Sequence, residues 1–301
     1  MIHTRGYSSF SFLDGIGHPK KIVDRVKSLG MTSYALTEKW YMAGCIPTIQ
    51  ACQKSDPRLI PLVGVELGRC TDTTPKSKPY GTITFLAYSL DGLKACMKLC
   101  TLAHHHLIEG IPHLTTANLT HTHTHPDLIV LLGGHNTQLL HIQGQDIASH
   151  IEPLINTFGH DSLIIDFCSG GKKSMTDPIN AKLREIKKRY NFSHVINNGF
   201  CYPQRDDHEI FCIGQAIKQG LNIRDIDKEQ YHNRHLLSPE ERETLARDYG
   251  FDTTTITQAR ATSLLIGSKS TLSLDFGKTK FPIYESPPHI QNLYTQYMKH
   301  V

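Results

Sequence analysis

The sequence predicts an α/β fold, a parallel sheet or barrel of strands surrounded by helices. Short apolar runs of strand length alternate with amphipathic stretches through the first two-thirds of the chain. The predicted strands are Ser33–Thr37, Leu59–Glu66, Thr82–Tyr88, Leu128–Leu132, Leu163–Asp166 and His194–Asn197. Active sites of β/α barrels lie at the carboxyl ends of the strands. Candidate functional residues are therefore expected directly after the apolar runs.

The first helix has clear start and stop signals. Pro19 suits the first turn of a helix, and Gly30 suits its end. The apolar residues between them fall on one helical face: Ile22, Val23, Val26 and Leu29.

The remaining segments depart from this alternation. Leu107–Asp127 is rich in Thr, His and Pro, which favours a surface loop. After residue 236 the pattern becomes helical, over Pro239–Arg247 and Thr255–Ile266, and then extended with several prolines.

Composition limits the class of protein. The 301 residues suffice for one large domain, alone or with a short extension. A net charge of +4 is too small to indicate nucleic-acid binding by itself. No apolar run reaches the roughly 18 residues of a membrane helix, and no signal-peptide core is present, so we expect a soluble, cytoplasmic protein without a membrane partner. The eight cysteines form no CxxC pair, which favours buried reduced thiols.

Several segments together carry a family resemblance. Ser9–Gly15 leads through His18-Pro19 into the first helix, and Ser33–Gly44 and Leu62–Glu66 follow. Later segments continue the match in order: Thr82–Lys98, Leu128–Gly134, Asp206–Ala216, Asn233–Leu237 and Leu274–Pro287. The chain resembles the N-terminal PHP (polymerase and histidinol phosphatase) domain of bacterial C-family DNA polymerases. These are the DNA polymerase III alpha subunit and its error-prone relative, and Phe10–Gly15 is similar to the error-prone form.

The resemblance implies a fold and a division of the chain. The fold is a distorted β/α barrel of the PHP type with about seven strands, followed by a helical and extended C-terminal segment. Residues 1–268 would form the barrel, and residues 269–301 would form a connector that resembles the entry to the polymerase palm. We expect the proline-rich stretch Phe276–Pro288 to be mobile.

In active PHP domains, His, Asp, Glu and Cys ligands at the strand ends bind metal ions that hydrolyse phosphoesters. Here most of the matching positions are substituted. Arg5 and Tyr7 replace the two His of the first motif, Glu38 and Lys39 replace an Asp-His pair, and Glu66 is retained. Thr82 replaces a His, Gly134 a Cys or His, Gly199 an Asp, and Cys201 a His.

These nine positions, from Arg5 to Cys201, are interpreted as a vestigial metal pocket. The remaining donors, Glu38, Glu66 and Cys201, cannot form the multi-metal cluster of the family, and Arg5 and Lys39 would repel cations. We therefore expect no catalytic residue, metal ligand or cofactor in this chain. We also expect Arg5 to bond both Glu38 and Glu66, so that an ion-pair network replaces the metals.

Two further segments leave alternatives open. In a strand, His121, His123 and His125 would share one face and could bind metal adventitiously, whereas a polar surface loop is the simpler interpretation. The loop Ser169–Lys173 could bind phosphate through backbone N–H groups and lysines, or could be a solvated turn.

The resemblance predicts a catalytically inactive PHP domain of a polymerase III alpha-like protein. It would support the polymerase fold, possess no polymerase activity alone, and contact DNA only indirectly. Its partners would be the remainder of the polymerase, which would use magnesium, and in some members a proofreading exonuclease. One alternative is a metal-dependent phosphoesterase using Glu38, Glu66, Cys201 and a nearby His. Another is a stand-alone interaction protein. A replicative or an error-prone role stays open.

Overall fold

The computed structural model describes residues 1–70, 79–121, 127–135, 137, 146–277 and 287–298. In this part of the chain, eight strands form one mixed sheet. The strands are β1 (Ser33–Lys39), β2 (Ile60–Cys70), β3 (Pro79–Ala87), β4 (Leu107–Ile108), β5 (Ile111–Thr115), β6 (Leu128–Gly133), β7 (Leu163–Cys168) and β8 (Ser193–Asn197).

Helices surround this sheet. They are α1 (Pro19–Ser28), α2 (Cys45–Lys54), α3 (Leu90–His104), α4 (Thr116–His121), α5 (Asp146–Phe158), α6 (Lys173–Tyr190), α7 (His208–Gln219), α8 (Pro239–Asp248), α9 (Thr253–Ser268) and α10 (Pro288–Met298). Local signals explain their starts. Pro19 occupies the first turn of α1, and Ser238 with Glu241 forms a capping box at the start of α8.

The strand order is β4-β5-β2-β3-β6-β7-β8, and β1 pairs with β2 beside this path. The pairs β1–β2, β2–β5, β6–β7 and β7–β8 are parallel. The pairs β2–β3, β3–β6 and β4–β5 are antiparallel. The predicted parallel direction is therefore wrong for β3. The link between Cys70 and Pro79 is too short for the dozen or more residues of a parallel crossover.

The N-terminal segment, residues 1–7, lies between β1 and the chain that follows β8. The Thr37 amide donates to the Gly6 carbonyl at 2.8 Å, and the Tyr7 amide donates to the Phe200 carbonyl at 2.9 Å. No ladder pairs β1 directly with β8 among the described strands. These bonds bring residue 5 to the same edge of the sheet as the ends of β1 and β8.

The α/β class and the six predicted strands are confirmed, as are helices α8 and α9. The surface loop predicted for Leu107–Asp127 is wrong over its first part, which contains β4, β5 and α4. Leu114 and Leu119 are buried there, so this segment contributes to the core. His123 and His125 lie outside the described residues, and nothing is described of the His121 side chain.

The predicted connector begins packed against the sheet. The Ser270 hydroxyl donates to the Pro61 carbonyl at 2.7 Å, the Thr271 amide donates to the Tyr88 carbonyl at 2.8 Å, and Leu272 is buried. Most of the predicted mobile stretch, residues 278–286, lies outside the described residues. Within the described residues, no helix has the length and apolarity to cross a membrane.

Candidate functional site

Arg5 lies at the centre of the carboxyl ends of the strands, and its side chain is almost completely buried. Its Nε lies 3.2 Å from Oδ2 of Asp166 in β7, and its Nη2 lies 3.8 Å from Oε2 of Glu66 in β2. Nη2 also donates to the hydroxyl of Thr84 in β3, and Nη1 donates to the Gly133 carbonyl at 3.3 Å. One guanidinium thus connects four strands, β2, β3, β6 and β7.

The missing side chain at Gly134 makes room for this guanidinium. A Cβ at residue 134 would lie 1.2 Å from Nη1 of Arg5. The φ angle of Gly134 is +84°, a conformation that glycine adopts without the steric cost of a side chain. Arg5 and a larger residue at position 134 are therefore mutually exclusive in this packing.

Hydrogen bonds complete the surroundings of the two carboxylates. The Tyr7 hydroxyl donates to Oε2 of Glu66 at 2.6 Å, and Nδ2 of Asn197 donates to Oδ1 of Asp166 at 2.6 Å. Burial raises the pKa of Asp166, although the Arg5 charge acts in the opposite direction. Burial also disfavours the charge on Arg5, but Asp166 and Glu66 more than offset it and raise the Arg5 pKa.

Glu38 belongs to a separate cluster, so the predicted Arg5–Glu38 bond is wrong. The hydroxyls of Ser8 and Ser11 donate to its carboxylate, and the Ser8 amide donates at 3.3 Å. Burial raises the Glu38 pKa, and the serine bonds lower it in part. The reason for the error is local, because the loop after residue 7 brings its own donors to the end of β1.

The other substituted positions lie around this centre in different roles. Lys39 pairs with Asp14 at 3.3 Å. Thr82 faces Gly68 in the β2–β3 ladder, and Thr84 is the residue opposite Glu66. The predicted position in β3 is therefore two residues away from the one that contacts Arg5.

Gly199 and Cys201 follow β8. Nε and Nη2 of Arg234 donate to the Gly199 carbonyl at 3.1 and 3.0 Å, and a Cβ on Gly199 would lie 3.3 Å from Nη2. Cys201 is buried, which raises its thiol pKa to about 11.

The sequence interpretation missed four residues of this site: Thr84, His135, Asp166 and Arg234. Asp166 ends an apolar run, a position where a polar residue was expected to matter. His135 lies two residues after the end of β6, and its Nε2 lies 2.7 Å from the Gly170 carbonyl. Burial and the neighbouring Arg234 lower its pKa to about 3, so the ring is neutral and Nε2 carries the proton.

A cavity of about 440 Å³ opens beside this centre. Its described lining includes Tyr7, Lys39 and Cys201 from the predicted pocket, together with His135 and Arg234. The loop Ser169–Lys173 reaches the same place, because Lys172 lines the cavity at the start of α6.

The side chains present do not fit the metal cluster that the resemblance implies. Glu66 is paired with a fixed cation, and Glu38 accepts hydrogen bonds from two serines. Among the residues that the structure describes, no group of three or more His, Cys, Asp or Glu side chains is arranged to hold a metal ion.

Comparison with known proteins identifies related sequences. The family model of the PHP domain matches residues 3–169. The chain is 21% identical over 249 residues to DNA polymerase III subunit alpha of Buchnera aphidicola subsp. Schizaphis graminum, covering 80% of this chain and 21% of that protein. It is 27% identical over 213 residues to the error-prone DNA polymerase of Mycolicibacterium paratuberculosis, covering 66% of this chain and 19% of that protein.

The chain thus spans about a fifth of the length of these curated relatives. Among solved structures, an amidohydrolase from Chromobacterium violaceum is similar at a TM-score of 0.43 and 14% identity, covering 68% of this chain and 89% of that chain.

Proposed function

Because the chain belongs to the PHP domain family, we propose that it is a PHP domain without phosphoesterase chemistry that supports a C-family DNA polymerase. The observation that supports the absence of phosphoesterase chemistry is the position of Arg5. Its guanidinium occupies the space beside Gly134 and pairs with the carboxylates of Asp166 and Glu66. A bound divalent ion lowers the pKa of water and supplies a nucleophile, whereas a guanidinium holds charge and has no coordination site for water.

Metal content and hydrolysis test this half. The 301-residue chain, purified without a metal-affinity column, is expected to contain far less than one equivalent of zinc, manganese or iron by mass spectrometry. It is also expected not to hydrolyse a model phosphodiester with added Mn²⁺, Zn²⁺ or Mg²⁺. Turnover that disappears in Glu66→Ala would contradict the proposal and favour a remodelled phosphoesterase.

The polymerase half is supported by the relatives and by an exposed apolar surface. The relatives are polymerases about five times the length of the matched part. Ile210, Ile213 and Ile217 fall at helical spacing on one face of α7, and all three are exposed. We propose that this face packs against the polymerase body.

Co-expression tests the polymerase role. The chain is produced with a C-family polymerase body from the same genome, and co-elution and primer extension are measured. Co-elution and faster extension are expected, with the catalytic magnesium ions held by the body rather than by this chain. Ile213→Asp should abolish co-elution, whereas the matched control Leu265→Asp, an exposed apolar position on α9, should not. Separate elution of the unaltered chain would favour an interaction protein outside replication.

A further inference from the structure

Positive charge is concentrated in helix α6. The helix contains six basic and two acidic side chains, so its net charge equals the +4 of the whole chain, and the remainder of the chain has no net charge. Four of the six basic side chains lie in its last seven residues: Arg184, Lys187, Lys188 and Arg189. We call these four the basic end of α6. Three of them are exposed, and Lys187 is half-buried.

The basic end lies away from the cavity. Thr176 in the first turn of α6 lines the cavity. An α-helix rises 1.5 Å per residue, so Lys188 lies roughly 18 Å further along the axis. The helix ends beside His160, which precedes β7 and whose Nε2 lies 2.8 Å from the Tyr190 carbonyl. The basic end is therefore at the amino ends of β7 and β8, opposite the Arg5 centre.

Three carboxylates belong to the segments around the basic end, and each has another partner. Glu185 pairs with Lys182 at 3.0 Å. Asp161 lies 3.3 Å from Nδ1 of His160, and Asp252 caps the start of α9. None of the ion pairs within the described part of the chain includes a side chain of the basic end. Its positive charge is therefore left for a partner outside the chain.

The two arginines of the basic end are held by aromatic rings. Cζ of Arg184 lies 5.1 Å from the centroid of the buried Phe251 ring, and Cζ of Arg189 lies 5.4 Å from that of Tyr190. Tyr190 in turn stacks on Phe192, with centroids 5.5 Å apart. Contact with a ring restricts a guanidinium without using its N–H donors, which stay available for a phosphate oxygen.

The helix dipole explains only part of this charge. Basic side chains in the last turn of a helix interact favourably with the dipole, and Lys187, Lys188 and Arg189 lie in that turn. Arg184 lies one turn earlier, next to the same exposed surface as Lys188, because residues four apart are neighbours on a helix. A row of cations that extends beyond the last turn and lacks carboxylate partners fits an extended polyanion.

We propose that the basic end of α6 binds the phosphodiester backbone of duplex DNA directly and without sequence preference. Charge complementarity favours this partner, since duplex DNA presents one negative charge per roughly 1.7 Å of its axis. The contact is with the backbone, because Phe192 and Phe251 are buried and Tyr190 is stacked, so these rings do not offer a platform for bases. The inference goes beyond the proposed support of a polymerase, for which only indirect contact with DNA is expected, and it does not depend on that role.

Fluorescence anisotropy of the full chain in EDTA tests the proposal. The probe is a labelled duplex of about 20 base pairs, titrated between roughly 50 and 200 mM sodium chloride. Four phosphate contacts predict that the logarithm of the association constant falls with the logarithm of the salt concentration with a slope of about −3.6. A single strand of the same sequence should bind more weakly, with a slope of about −2.8.

Variants locate the site. Lys188→Gln and Arg189→Gln should each weaken duplex binding by about 10-fold at the lowest salt concentration and make the slope less steep by about 0.9. The matched control Lys94→Gln removes the same charge from an exposed lysine on α3 and should leave binding unchanged. Arg189 contacts the Tyr190 ring, so Lys188→Gln, an exposed position, keeps the test valid if Arg189→Gln fails to fold.

Four results would overturn the proposal. They are no binding of the duplex at the lowest salt concentration, equal binding by Lys188→Gln and the parent, tighter binding of the single strand, and displacement of the duplex by an equal charge concentration of polyglutamate or phosphatidylserine vesicles. The last result would favour an acidic protein or a membrane surface instead. None of them bears on co-elution with a polymerase body, which is tested at Ile213 on α7.

Discussion

Replacing Arg5 by alanine should destabilise the chain strongly. The arginine side chain is almost fully buried, and its partners Asp166 and Glu66 are buried too. Removing one side of a buried ion pair leaves uncompensated charge and costs about 3–5 kcal/mol. That loss is a large fraction of the 5–15 kcal/mol that typically separates folded from unfolded chains.

Urea unfolding at pH 7.5, followed by circular dichroism, measures this loss. With a slope near the upper end of the usual range, about 3 kcal/mol per molar urea, the midpoint of Arg5→Ala should fall by roughly 1–2 M. The control Arg260→Ala removes an arginine that is half exposed and pairs with Glu243 at 3.2 Å. Its expected cost is below about 1 kcal/mol, because solvent screens such pairs.

The pH dependence of the stability of Arg5→Ala gives a second test of the buried ion pairs. Burial already raises the Asp166 pKa, and Arg5 opposes that shift, so removing Arg5 should raise the pKa further. A folded-state pKa above the unfolded value means that the folded variant takes up protons more readily. The difference in unfolding free energy between the parent and Arg5→Ala should therefore become smaller as pH falls through the raised Asp166 pKa. Adding Asp166→Asn to the variant should recover part of the loss. An Arg5→Ala chain within about 1 kcal/mol of the parent would refute the buried ion-pair network.

Three other exchanges follow from the same geometry. Gly134→Ala should cost more than about 2 kcal/mol in urea unfolding, because a methyl would meet the Arg5 guanidinium. Gly159→Ala is its control, with a similar φ of +80° but open space, and equal losses in the two variants would exclude the clash. Ser11→Ala should cost about 1.5–3 kcal/mol, since its hydroxyl bonds a buried carboxylate, and a loss under 0.5 kcal/mol would contradict that role. Burial lowers the pKa of His235 from 6.5 to about 4, so its contribution to stability is complete above pH 6.5 and is lost as pH falls towards 4. His235→Gln should therefore reduce the stability lost between pH 7.5 and pH 5.5 by about 1.3 kcal/mol, and unchanged pH dependence would contradict this.

The sequence predicted where strands lie better than how they run. Apolar runs such as Leu128–Leu132 and Leu163–Asp166 coincide with β6 and β7, because a buried strand requires apolar residues on both faces. The same apolar pattern is compatible with a parallel or an antiparallel strand, so the residues of β3 do not indicate that it is antiparallel to its neighbours. The short link before Pro79 was the available signal.

The sequence predicted the position of the site, but not all of the residues that bond Arg5 and Glu38. The Arg5–Glu66 pair is present as expected. Asp166 was overlooked because the interpretation followed positions of family metal ligands rather than every polar residue at a strand end. Adjacent strand ends also suggested an Arg5–Glu38 bond, yet Ser11 and its neighbours supply that carboxylate with closer donors. Side-chain hydroxyls from a loop cannot be placed by strand order alone.

Two glycines explain how charge is distributed in this site. The resemblance places metal ligands at positions 134 and 199, and here each lacks a side chain and lies against an arginine, Arg5 at Gly134 and Arg234 at Gly199. An arginine remains charged at any relevant pH, so neither guanidinium loses its positive charge by titration. The Arg5 guanidinium forms ion pairs with the buried carboxylates of Glu66 and Asp166. Arg234 bonds only a backbone carbonyl among the contacts described, and it lines the cavity. Arg5 is therefore part of a buried ion-pair network, whereas the positive charge of Arg234 lies at the wall of the cavity.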